Sequence, residues 1–124
     1  MSRRRFMNQL EGFIYNASLD SMGNISNVNG CCITNFLPAT RSQKIRFYHG
    51  FQNATIYDRC LVEYDSNKNR VDYWNHGGAY VREITIAENS TTWIRVTLNL
   101  DNINDCYVLN VSTGKYLWKG NNIK

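Results

Sequence analysis

A single proline, Pro38, interrupts the 124 residues, and two histidines, His49 and His76, are all the imidazoles the chain has. A Cys–His or Ser–His enzyme needs one of them beside a nucleophile and an orienting carboxylate. Both histidines fall at strand ends or in loops, away from any nucleophile signature, so no catalytic residue is assigned. Glycine-rich phosphate loops are missing. Long apolar runs are missing too. Nothing approaches the roughly 18 residues of a membrane span, so no membrane partner is expected. The start MSRRRFMNQ is basic, but Asn8, Gln9, Glu11 and Asn16 break up the residues after it, and no apolar stretch forms. It is therefore not read as a secretory signal.

The four cysteines, Cys31, Cys32, Cys60 and Cys106, lack the paired spacing of a zinc site. Cys31 and Cys32 are adjacent, so in a strand they point to opposite faces. All four read as reduced, buried small hydrophobes. DSNKNR (65–70) resembles the start of a calcium loop, with oxygens at Asp65, Asn67 and Asn69. Arg70 then stands where the loop needs glycine, and His76 where it needs glutamate. The stretch reads as a hairpin turn, and no metal or cofactor is expected.

What is present is a strand-forming composition. Aromatics make up 13% of the chain, Ile, Val and Thr are plentiful, and the abundant Asn suits many turns. Alternation and turn signals predict strands over 12–16, 31–38, 43–49, 55–64, 70–75, 82–86, 91–98, 106–111 and 115–120. Residues 18–30 are polar and read as a loop. In the clearest strand, Ile94, Val96 and Leu98 face the core while Trp93, Arg95 and Thr97 face out. The expected fold is all-β, an antiparallel β-sandwich, jelly-roll-like, over 13–124.

The net charge is +4, from 14 Lys and Arg against 10 Asp and Glu. Without Arg3, Arg4 and Arg5 the balance falls to 11 against 10. The basicity therefore sits in an arm, residues 1–12, with a short helical stretch over Phe6–Leu10. Three arginines are few for holding a phosphate backbone, so nucleic acid is not the expected partner. They are also fewer than the five or more of a basic targeting patch. Arginine forks on carboxylates, with Phe6, Met7 and Leu10 in apolar pockets, fit a docking segment better. Tyr48, Tyr73, Trp74, Tyr80, Trp93 and Trp118 supply exposed or half-exposed rings. Such rings pack sheets, cover sheet edges, fill subunit interfaces or stack on glycans, and protein contact is the favoured reading. Five N-x-S/T sequons, at Asn16, Asn24, Asn53, Asn89 and Asn110, carry little weight in so Asn-rich a chain.

CCITNFLPA (31–39), LVEYDSNKNRV (61–71), ITIAENSTTWIRVTLNL (84–100) and CYVLNVSTGKYLWKG (106–120) together resemble a β-sandwich module. That module occurs in virion and fibre proteins of bacteriophages of gut bacteria, and in surface proteins of their hosts. The leading RRRFM (3–7) resembles the basic start of small phage structural proteins. The resemblance implies a non-enzymatic virion component, assembled in the host bacterial cytoplasm. It would be a homo-oligomer, trimer favoured, anchored to capsid or tail by its N-terminal segment. The chain has no long fibre shaft, so a head-fibre base, capsid decoration protein or tail adaptor fits better than a complete fibre. The other expectation is a carbohydrate-binding module that recognises host cell-surface glycan.

Overall fold

A computed structural model describes residues 12–52 and 59–124, so residues 1–11 of the docking arm and the first part, 55–58, of the strand expected over 55–64 lie outside the described residues. The strands among those residues are β1 (Ile14–Leu19), β2 (Ile25–Ile33), β3 (Leu37–Pro38), β4 (Lys44–Tyr48) and β5 (Cys60–Tyr64). The remainder are β6 (Arg70–Asn75), β7 (Val81–Thr85), β8 (Trp93–Asn99), β9 (Tyr107–Asn110) and β10 (Lys115–Lys119). A 3-10 turn, Leu100–Asp105, joins β8 to β9. The protein is an all-β sandwich of two antiparallel sheets. One has the order β1-β2-β8-β5-β6, with β3 also paired to β8; the other has the order β10-β9-β4-β7.

The inter-sheet core follows from period-two alternation. Ile94, Val96 and Leu98 of β8 and Leu61 of β5 meet Ile45 and Phe47 of β4, Ile84 of β7 and Val108 of β9. All are buried. The two adjacent cysteines separate as alternation requires. Cys32 enters this core, while Cys31 packs with Phe51 and Val28. All four cysteines are buried thiols. Burial, and then their neighbours' charge, pushes the Cys32 and Cys106 thiols up to about 12, which keeps them neutral.

Two expectations are corrected. Residues 18–30 are not one loop. Asp20 Oδ1 accepts the N–H groups of Met22 and Asn24, each at 2.9 Å, which closes a tight turn at 20–24. The polar residues beyond it form the first part of β2. They read as loop because this part of the strand has no apolar alternation: Ile25, Ser26, Asn27 and Asn29 are exposed. The second correction concerns Trp93, Arg95 and Thr97, which do not face solvent: Arg95 and Thr97 are buried and Trp93 is half-buried.

One feature of the hairpin causes both. Its register breaks at Asn16, where φ is +52°: Tyr15 pairs with Cys32, but Ala17 pairs with Asn27. The strand ends near the break continue the sheet beside β8, while the tip end lies over its outer face. There the Leu19 N–H donates to Thr97 Oγ1 at 3.1 Å, and the Arg70 guanidinium donates to the Ser21 carbonyl at 2.9 Å. Ala17 and Leu19 thereby close a second core with Ile33, Cys60, Val62 and Tyr64. Arg95 survives burial because Nε donates to the Thr34 carbonyl at 2.8 Å and its guanidinium lies 4.5 Å over the Phe36 ring. The single strand expected over 31–38 also divides. β2 ends at Ile33, and Pro38 sits inside β3 opposite Trp93.

Candidate functional site

The six-stranded sheet is covered on both faces, by the second sheet and by the hairpin. The outer face of the four-stranded sheet has no such cover among the described residues. Register places Val81, Tyr48 and Tyr107 in one row across β7, β4 and β9, with Lys119 of β10 at its end. Tyr80 and Tyr116 flank the row. Tyr48 stacks on Tyr80 at 6.1 Å and on Tyr107 at 5.9 Å, and Tyr107 meets the edge of Tyr116 at 5.7 Å. The Lys119 ammonium lies 5.5 Å over the Tyr116 ring. Tyr80, Val81 and Tyr116 are about 40% exposed (38%, 42% and 41%), which makes the row an apolar, hydroxyl-bearing stripe open to solvent. Beside it Arg46 binds Glu83 at 2.9 Å, and Lys44 approaches the same carboxylate at 3.8 Å. Partial burial, and then the charge of Asp105, raises the Tyr48 phenol above its ordinary value, so the central ring stays neutral.

Of the six rings singled out in the sequence, Tyr48 and Tyr80 come together here. The other four are committed elsewhere. Trp74 turns into the inter-sheet core, where its indole N–H donates to Glu63 Oε2 at 2.6 Å and the Arg82 guanidinium lies 5.4 Å from its ring. Tyr73 and Trp93 pack on the second core beneath the hairpin. Trp118 packs on the main core against Phe13, with ring centroids 5.3 Å apart. Tyr107 and Tyr116 were not singled out. Each sits in a strand with other large side chains, and only pairing across β4, β9 and β10 gathers them. Arg3, Arg4, Arg5, Phe6, Met7 and Leu10 lie outside the described residues.

The structure also unites two residues that the sequence set apart. His49 and His76 are fully buried and stack at 4.4 Å with planes 21° apart, with Phe47 edge-on to His76 and Phe51 near parallel to His49. The Thr97 carbonyl lies 2.7 Å from His76 Nε2, so that nitrogen carries the proton. His49 Nδ1 accepts the Phe51 N–H at 3.1 Å, which leaves the His49 proton on Nε2. The second nitrogen of each ring, His49 Nε2 and His76 Nδ1, has no hydrogen-bond partner among the described residues. Burial pulls the His49 imidazole down to about 4, against smaller opposite pulls from the backbone of Gly78 and then of His76. His76 falls well below its ordinary value, through burial first and then through the neighbouring His49, Arg59 and Arg82.

A shallow cleft of about 300 Å³ opens between Pro38, Asn110, Lys115 and Leu117. Its amides are already used: Gln43 Oε1 takes the Thr40 N–H and Asn110 Oδ1 takes the Thr113 N–H. In the 65–69 turn, Asp65 Oδ1 takes the N–H groups of Asn67 and Asn69, so that oxygen serves its own loop. Among the described residues no helix is long and apolar enough to cross a membrane, and no three acidic, His or Cys side chains group as metal ligands. No family model, no curated protein and no solved structure matches the chain.

Proposed function

We propose that the protein is a non-enzymatic structural module that self-associates through the outer face of its four-stranded sheet, as a virion component anchored by its N-terminal arm. The observation that carries the association is the asymmetry of cover. Among the described residues one sheet is covered on both faces, while the other presents Tyr80, Val81 and Tyr116 to solvent, with the half-buried Tyr48 and Tyr107 between them. Exposed apolar rings that lie side by side on one face mark contact surfaces more often than scattered ones do. Tyrosines at the centre with Arg46, Glu83 and Lys44 beside them match the make-up of protein interfaces, in which aromatic residues and arginine are enriched. The row lies on a sheet face and the cleft lies elsewhere, which favours a flat protein partner over a glycan held in a groove.

The native mass of the full chain tests the association. An oligomer is expected, which the double variant Tyr48→Ala, Tyr107→Ala converts to monomer with its circular dichroism unchanged. A wild-type monomer whose Tyr48→Ala variant loses signal on a glycan array would replace this reading with carbohydrate binding. For the anchor, a chain lacking residues 1–10 is expected to stay folded and to lose incorporation into particles. Normal incorporation would remove the anchor.

A further inference from the structure

The buried histidine pair adjoins one end of the tyrosine row, since His49 follows Tyr48 and bonds to the backbone of Tyr80. A short circuit of hydrogen bonds joins the two. The Phe51 N–H donates to His49 Nδ1 at 3.1 Å. The Phe51 carbonyl takes the Tyr80 N–H at 2.8 Å, and the Tyr80 carbonyl takes the N–H groups of His49 and Gly50 at 2.7 and 3.2 Å. Tyr80 is thus fixed to the segment that carries His49. Its own φ is +67°, a conformation that a tyrosine holds only when its surroundings impose it.

The tautomers make this circuit sensitive to protons. The one free site on His49 is Nδ1, and the Phe51 N–H already points at it. Protonation there sets donor against donor and breaks the bond. On His76 the added proton lands on Nδ1, which faces no acceptor among the described residues. Among the described residues no anion faces the added charge, and the backbone of Gly78 and His76 offsets the burial of His49 only in part. From the segment before β5, Arg59 lies 4.6 Å over Phe51, and from β7, Arg82 Nη1 is held by the Asn75 carbonyl at 2.7 Å; both are cations. Cys31 of β2 and Cys106 beside Gly50 are buried thiols, and Tyr80 is a phenol. No carboxylate among the described residues acts on either ring.

The segment the latch would release lies outside the strands. His76 is followed by Gly77 at φ +69° and Gly78 at φ +155°, and no regular structure holds 76–80. Gly77 also lies so close under the Arg82 side chain that a Cβ would collide with it.

We infer that His49 and His76 form an acid-operated latch: protonation of either ring releases residues 76–80 and withdraws Tyr80 from the docking face. The consequence for docking rests on the proposed self-association; the latch itself does not.

Amide hydrogen exchange on the full-length chain, without any partner, between pH 7.5 and 4.5 tests the latch. Rates are corrected for the intrinsic pH dependence of exchange. Protection at Gly50, Phe51 and Tyr80 is expected to fall by up to about tenfold per ring for each pH unit below 6.5, while Val96 and Leu98 of β8 stay protected. His76→Phe is expected to flatten that slope. Unchanged protection at Gly50, Phe51 and Tyr80 would overturn the latch, and so would an equal fall at Val96 and Leu98. Imidazole resonances titrating near 6.5 in the folded chain would also overturn it. If the variant does not fold, the wild-type profile decides alone. The native mass at pH 7.5 and 5 then tests the coupling: loss of association with β8 still protected supports it, and association that survives an open latch overturns it. A chain monomeric at both values would sink the docking reading and leave the exchange result standing.

Discussion

His49 and Glu63 are two buried ionisable groups whose titrations pull stability in opposite directions. The folded chain holds both imidazoles below their ordinary value, so between about 4 and 6.5 the unfolded chain binds more protons. Stability then rises with pH across that window and is lost on acidification. His49 alone accounts for roughly 2 kcal/mol lost between pH 7 and 5. A urea midpoint that does not move between pH 7 and 5 would contradict this. Glu63 is also fully buried, and accepts from Trp74 Nε1 and Thr91 Oγ1 at 2.6 Å each. Burial raises its carboxyl despite those two bonds. A raised folded value favours the fold below the ordinary 4.5, and that contribution fades as pH climbs through the folded value. Glu63→Ala strands two buried donors and is expected to destabilise by about 2–3 kcal/mol, read from urea unfolding. Glu63→Gln keeps one acceptor, loses less, and removes the carboxyl's part of the pH dependence.

The β1–β2 hairpin turns a two-sheet sandwich into one with a second core. Leu19 plugs that core and Ile25, its cross-strand partner, is half exposed. Leu19→Ala is expected to destabilise by about 2–5 kcal/mol and Ile25→Ala by less than about 0.5 kcal/mol, compared by denaturant midpoint. Equal losses would mean that the tip does not pack as described. This element was the least legible in the sequence. Its turn is announced by Asp20, Gly23 and Asn24, but β2 begins with residues that show no apolar alternation. The strands β4 and β8 were legible because their alternation is strong, and β6 because the 65–69 turn announces a hairpin. Alternation assigns side chains to two faces; it does not say what covers the second one, and that is why Arg95 and Thr97 read as solvent-facing.

For the molecule as a whole, the unequal cover of the two sheets is the feature that invites a partner. The single variant Tyr116→Ala, at the exposed end of the row, is expected to weaken self-association severalfold with the urea midpoint shifted little. Trp93→Ala is expected to do the reverse, since that ring packs on the second core. Sedimentation and unfolding on the same samples separate the two effects. A Trp93→Ala chain of unchanged stability and altered mass would move the contact surface to the hairpin side.

Local patterning was enough to determine the class of fold, most strand positions, the 65–69 and 112–114 turns, and the burial of Cys31 and Cys32 toward opposite sides. These depend on neighbours one to four residues apart, where backbone geometry decides. The histidine pair and the tyrosine row depend on contacts made at long range. His49 and His76 meet because β4 and β6 end at the same edge of the sandwich, and Tyr48, Tyr80, Tyr107 and Tyr116 meet because β4 lies between β7 and β9. Strand order and register are set by the packing of the whole core, so only the tertiary structure could bring these side chains together.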